Sequence, residues 1–204
     1  MLISEKFVLL NLPKTGSSFV RESIKQLYGR STSKNKIITN LTRFGLYQPR
    51  LKELILPKID GQQYLGVSDQ HGTLRQIPKK YRRLPVVTVT RNPISRYISI
   101  FRYRWWVENP PGDLAEIRKK YPQFPDLSFA EFYEMWHKFD RLNRVGNMPL
   151  RKDLGISTIQ FIQFYFNNPE HILNNIDDDY IQMGQYEDEL KNITFLHQEN
   201  LNAE

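Results

Sequence analysis

Apolar and polar positions alternate along this chain on two periods. Phe7–Leu12 (FVLLNL) is an almost unbroken apolar run closed by Pro13. Such a run suits a strand buried on both faces of a parallel sheet. After a short polar turn, Val20, Ile24, Leu27 and Tyr28 recur at helical spacing, with Gly29 placed to cap the end. Gln63–Ser68 (QYLGVS) reads as a second strand, and Pro85–Thr90 (PVVTVT), rich in β-branched residues, as a third. The third strand runs into Arg91-Asn92-Pro93, where Asn at a cap and Pro in a first turn mark a helix start. Ile94, Ile98, Phe101 and Trp105 give that helix its apolar stripe.

The remaining segments are less regular. Residues 31–60 are polar and broken by Pro49 and Pro57, and residues 107–127, with four prolines and Gly112, read as a loop. Ser128-x-x-Glu131 is a capping box, followed by Phe132, Trp136 and Phe139 on one helical face. Gly155–Phe166 is apolar without a decisive period. Tyr180–Gly184 reads as a late strand and Glu187–Leu196 as a closing helix. Strands alternating with helices predict an α/β fold with a mainly parallel central sheet flanked by helices. No linker divides the chain, so residues 1–204 are expected to form one domain.

Composition narrows the function. The absence of cysteine excludes disulfides and thiol chemistry. The apolar runs are far too short to span a bilayer, and the first strand begins too early for a signal peptide, so a cytoplasmic location is expected. The net charge of +7 favours anionic partners such as nucleotides, acidic glycans or phospholipid surfaces. Charge alone does not make nucleic acid the expected partner.

Two motifs carry chemistry. Pro13-Lys14-Thr15-Gly16-Ser17-Ser18 lies between the first strand and its helix. There, backbone N–H groups and the helix dipole favour an anion, Gly16 lets the backbone approach it, and Lys14 adds a full charge. The loop is not the nucleoside-triphosphatase pattern, because its lysine precedes its only glycine. The second motif is Arg91-Asn92-Pro93-Ile94-Ser95-Arg96-Tyr97-Ile98-Ser99. Arg91 stands where the third strand ends, the edge at which ligands gather in open α/β sheets. Asn92, Ser95, Arg96 and Ser99 form a polar stripe on the following helix. A guanidinium and a helix hydroxyl together can bind a second phosphate. Near this strand end a kinase would keep an acid for Mg²⁺, whereas here the strand closes on Thr90-Arg91. His71 follows the second strand and should emerge at the same edge, in reach of general-base chemistry.

The lysine-threonine-glycine loop, followed downstream by Arg-x-Pro-x-x-Arg-x-x-Ser-x-Phe, resembles the sulfotransferase family. The similarity covers about residues 5–106, and thinly residues 184–190. It implies a P-loop-like sulfotransferase architecture and 3′-phosphoadenosine-5′-phosphosulfate as donor, with no metal. By resemblance, Lys14, Thr15, Gly16, Ser17 and Ser18 would bind the 5′-phosphosulfate end. Arg91 and Ser99 would bind the 3′-phosphate, Lys14 would stabilise the leaving group and His71 would be the catalytic base, with Asp69 the next candidate. The basic, glycine-containing segment that many relatives place on the 3′-phosphate near their C-terminus is not legible before Glu204. The expected acceptor is a hydroxyl on a carbohydrate or a similar polar molecule. The rival readings are a nucleotide or small-molecule kinase and a non-catalytic nucleotide-binding module, which would use the same loop without His71.

Overall fold

The computed structural model describes residues 1–28, 50–54, 71–144, 151 and 153–201. The chain opens with a tight hairpin. Strand β1 (Leu2–Ser4) pairs antiparallel with β2 (Val8–Leu9), Leu2 opposite Leu9. Ser4 ties the turn, its hydroxyl accepting from the N–H groups of Lys6 (3.0 Å) and Phe7 (2.9 Å). Strand β3 (Leu51–Glu53) pairs antiparallel on the outer side of β1. On the other side β2 pairs in parallel with β4 (Val86–Thr90), and β4 in parallel with β5 (Ile193–His197). The five-stranded sheet therefore runs β3-β1-β2-β4-β5 in an α/β fold and is mixed: β2, β4 and β5 are parallel, as the sequence suggested, and β1 alone runs antiparallel to its two neighbours. The reason lies in the connections: a turn as short as Glu5–Phe7 can only return a strand antiparallel, whereas a parallel neighbour needs a long crossover.

The apolar run at 7–12 is buried on both faces, as its pattern requires. Val8, Leu10 and Leu12 enter one core with Ile159, Ile162, Tyr165, Ile172 and Leu173. Leu9 faces the other way, into a cluster with Leu2 and Leu51 that packs against Val20 and Ile24 of helix α1 (Ser17–Leu27) and against Tyr28, which follows it. Leu27 belongs to neither core and is exposed, contrary to its place in the sequence stripe. Gly29 and the expected strand Gln63–Ser68 lie outside the described residues.

Helix α2 (Pro93–Tyr103) starts where expected, with Asn92 Oδ1 accepting from the N–H groups of Ile94 (3.0 Å) and Ser95 (3.2 Å). Its buried face is different, however. Ile94 is exposed, and Tyr97, Ile100 and Phe101 turn inward. Arg104, in the left-handed region, breaks the helix before the short α3 (Trp105–Glu108), so the stripe does not continue to Trp105 and Trp106 is the fully buried indole. The segment 107–127 is not all loop: Asp113 caps α4 (Leu114–Lys120), accepting from the N–H of Glu116 at 3.0 Å. Proline punctuation concealed a seven-residue helix that its cap and the buried Ile117 define. The Ser128–Glu131 capping box forms at the start of α5 (Phe129–Arg144), with 2.8 Å from the Ser128 N–H to Glu131. Together α2, α4 and α5 enclose a second core of Tyr97, Trp106, Ile117, Phe132, Met135 and Trp136.

Gly155–Phe166 resolves as helix α6 (Ile156–Tyr165) against the sheet, followed by α7 (Pro169–Asn175). Residues 180–184 are not a strand. Asp177 caps a helical turn there, α8 (Asp178–Gln182), accepting from the N–H of Tyr180 at 2.7 Å. The expected closing helix stops after one turn, α9 (Glu187–Leu190), and Ile193–His197 becomes β5. The parallel edge of β4 offers Ile193, Thr194 and Phe195 a complete ladder, which outweighs the helical preference of the preceding acidic residues.

Trp106 packs against Phe124 and Phe132, and its indole N–H donates to the Phe101 carbonyl at 3.2 Å. We expect Trp106→Ala to cost about 3–5 kcal/mol of stability and Trp105→Ala clearly less. Urea unfolding of the two variants checks this; equal losses would contradict the assignment of Trp106 to the core.

Candidate functional site

Where β2 stops pairing, its backbone polar groups need new partners. Side chains provide them for four successive carbonyls. Leu10 accepts from Thr88 Oγ1 at 3.3 Å, and Asn11 from His71 Nδ1 at 2.6 Å. Leu12 accepts from both Thr15 Oγ1 and Ser17 Oγ, each at 2.9 Å. Pro13 accepts from Arg96 Nε at 2.9 Å. With the carbonyls turned to these donors, the amides of the next stretch are left for another purpose. Among the described residues, no N–H from Lys14 to Ser18 donates to a main-chain carbonyl. Lys14 (φ 64°) and Gly16 (φ 87°) both take the left-handed conformation that curls the loop. For Lys14 this costs about 1–2 kcal/mol. For Gly16 it is free, and an added Cβ would stand 2.8 Å from Gln198 Cγ. The result is a concave row of donors opening α1, the geometry that favours an anion.

The hydroxyls of the loop divide into two kinds. Those of Thr15 and Ser17 are buried and give their protons to Leu12, so they hold the loop's shape. Ser18 is exposed in the first turn of α1.

The second motif meets the first along one face of α2. Arg96 and Tyr103 lie on that face: Arg96 reaches Pro13, and the Lys14 ammonium sits 3.5 Å from the centroid of the Tyr103 ring. Ser99 falls between them at helical spacing, on the same side. Arg96 itself is buried, and its guanidinium also donates to Gln160 Oε1 of α6 at 2.7 Å. It belongs to the loop's scaffold. Arg91 is the cation turned to the site. Its Nε is buried with no hydrogen-bond partner. Burial, and after it the Arg91 charge, hold the Lys14 ammonium below the ordinary lysine value. The two motifs thus lie within each other's electrostatic field.

His71 sits beside the strand end, bonded to Asn11 three residues before Lys14. A carbonyl can only accept, so Nδ1 carries the proton. Whenever the ring is neutral, its lone pair is on Nε2. Thr73, with Gln76, caps the 3₁₀ turn Leu74–Gln76, so His71 is not needed as a cap. Asp69 lies outside the described residues. Lys79, Lys80, Arg82 and Arg83 form an exposed face away from these contacts.

The chain matches no family model, no curated protein and no solved structure. The chemistry of the site must therefore be read from its own groups. Those groups are a row of main-chain donors, two cations within each other's electrostatic field, and a histidine whose Nδ1 is held by the Asn11 carbonyl. Together they can hold an anionic ligand and take up a proton beside it.

Sequence reasoning did not find three of the contributors. Tyr103 lies outside both motifs, although its place four residues after Ser99 puts it on the same helical side, a legible signal. The staple role of Arg96 depends on Pro13 and Gln160, far apart in sequence. The buried Asn11, whose side-chain nitrogen and oxygen have no hydrogen-bond partner, had no sequence signal. Among the described residues no helix is long and apolar enough to cross a membrane.

Removing the Arg91 charge should let Lys14 titrate at higher pH, because one of the two causes of its lowered pKa disappears. NMR of the Lys14 side-chain nitrogen in Arg91→Gln measures this. An unmoved or lower midpoint would show that Arg91 does not reach the loop.

Proposed function

We propose that this protein is a sulfotransferase of P-loop-like architecture. It would move a sulfuryl group from 3′-phosphoadenosine-5′-phosphosulfate to an acceptor hydroxyl. The observation that carries the reading is the convergence of the Lys14 loop, Arg91 and His71 at the ends of β2 and β4. The order of the two motifs along the chain supports it independently.

In this reading the acceptor oxygen bonds to sulfur as the bond from sulfur to the 5′-phosphate oxygen breaks. The acceptor's proton passes to His71 Nε2. The electron pair of the broken bond stays on the phosphate oxygen, where Lys14 and the loop amides meet the growing charge. Arg91 and Ser99 are the groups at hand for the 3′-phosphate of the donor. A sulfuryl group carries less charge than a phosphoryl group, so no metal is required to neutralise it. The basic surface and polar loops favour a carbohydrate hydroxyl, or one on a similarly polar molecule, over a hydrophobic phenol.

Calorimetry with 3′-phosphoadenosine-5′-phosphate, without Mg²⁺, tests the donor. We expect binding, and at least about tenfold weaker binding of adenosine 5′-phosphate, because a charge-assisted contact is lost. Equal affinity for the two, or a strict need for metal, would overturn the assignment in favour of a kinase.

The base is tested separately. His71→Asn keeps polarity and a donor for the Asn11 carbonyl but cannot take a proton. Its turnover should fall on the order of a hundredfold, with product-nucleotide affinity unchanged. A variant that kept nearly full turnover would remove His71 from the chemical step.

A further inference from the structure

The turn after β5 lies across both motifs. In the 3₁₀ turn Gln198–Asn200, Gln198 packs on Gly16 of the loop, and Leu201 Cδ1 stands 3.7 Å from where a Gly16 Cβ would be. Glu199, which follows Gln198 in the same turn, reaches the other motif. Its Oε1 accepts from the main-chain N–H of Asn92 at 2.9 Å. Asn92 follows Arg91 directly, and its own side chain is occupied in capping α2. The Asn92 amide is therefore a main-chain donor adjacent in the chain to Arg91, available in principle to an anion drawn to that charge. A carboxylate of the chain already holds it. The Asn92 hydrogen bond, more than the Arg91 and His197 charges, keeps that carboxylate below its ordinary pKa, so it is an anion at neutral pH.

Resting on the sulfotransferase reading, we infer that Glu199 is an internal competitor for the donor's 3′-phosphate and so tunes which nucleotide the site accepts. A ligand without that phosphate leaves Glu199 on Asn92. A ligand that bears it brings further negative charge beside Arg91, repels Glu199 and must displace it. Glu199 is exposed and the core does not depend on it, so displacement breaks one hydrogen bond and one screened attraction. The neighbouring contact of Gln198 with Gly16 explains how the carboxylate is delivered: one short turn is seated on the first motif and extends its acid to the second.

Glu199→Gln isolates the charge, because Gln keeps an oxygen that can accept from Asn92. Calorimetry compares it with the native chain for 3′-phosphoadenosine-5′-phosphate and adenosine 5′-phosphate. We expect affinity for the first to rise on the order of tenfold and affinity for the second to change less than about twofold, with Tm unaltered. Glu199→Ala should show at least the same gain. If both nucleotides gained alike, or neither gained, Glu199 would not be a competitor. The sulfotransferase reading would still stand provided that the native chain prefers the 3′-phosphorylated ligand. If neither nucleotide bound to native or variant protein, both inferences would fall together.

Discussion

Four consecutive carbonyls at the end of β2, Leu10 to Pro13, govern the arrangement of everything around them. A strand that leaves its sheet inside a core exposes acceptors that water cannot reach, and each one left unmade costs on the order of 1–3 kcal/mol. Here the donors come from four separate places: Thr88 in β4, His71 ahead of the 3₁₀ turns, Thr15 and Ser17 within the loop, and Arg96 in α2. Meeting one local requirement thus fixes three distant segments against the same strand end. Arg96 carries the connection further, through Gln160, to α6 on the sheet. The position of His71 and the orientation of α2 follow from this constraint before any ligand is considered.

The same constraint decides which groups are left to act. Thr15, Ser17 and Arg96 look like anion ligands in sequence, yet their protons go to the chain itself. Lys14, Arg91, Ser18, Ser99 and the loop amides are not used in this way. Shape is held by buried neutral hydroxyls and one buried guanidinium, while the less buried groups are the ones that could meet a ligand. That division suits a site that must be preorganised at its base and adaptable at its rim.

Much of this was legible in the sequence, for physical reasons that differ by residue. The run at 7–12 and the cap at Asn92 were readable because burial on both faces and capping leave strictly local signatures. The loop and Arg91 were readable because strand ends in α/β folds concentrate chemistry. The hairpin strand β1 was not, since Leu2–Ser4 is too short to show a period. Strand β5 was misread as helix because its pairing with β4 is non-local, and nothing in Ile193–His197 alone reveals a free parallel edge. Of the expected stripe Ile94, Ile98, Phe101 and Trp105, Phe101 does turn inward, but Tyr97 and Ile100 join it in place of Ile94. Arg96 occupies part of the inward face, and a buried arginine defeats any pattern that equates polar with exposed. Glu199 was invisible for the same reason as β5: only a closed sheet brings residue 199 to residue 92.

The charges of the site follow a single logic. Lys14 is held partly out of water, within the field of Arg91, and its ammonium is disfavoured as a result. A lysine whose folded pKa is lowered binds its proton less well in the native state than in the unfolded chain. Stability therefore rises with pH across the window between the lowered value and the ordinary one, and the full cost is carried below that window. The Tyr103 ring offsets part of that cost from one side. Glu199 lowers the potential near Arg91 from the other, as an exposed and screened charge. Neither neutralises Lys14. An anion seated on the loop amides would do so, and by linkage it would raise the lysine's affinity for its proton by the same free energy that the proton adds to anion binding. The electrostatic cost at Lys14, though not that of its left-handed backbone, would thus be relieved by a bound anion. Such a cost, in a loop whose N–H groups donate to no main-chain carbonyl among the described residues, is one that a bound negative charge would offset.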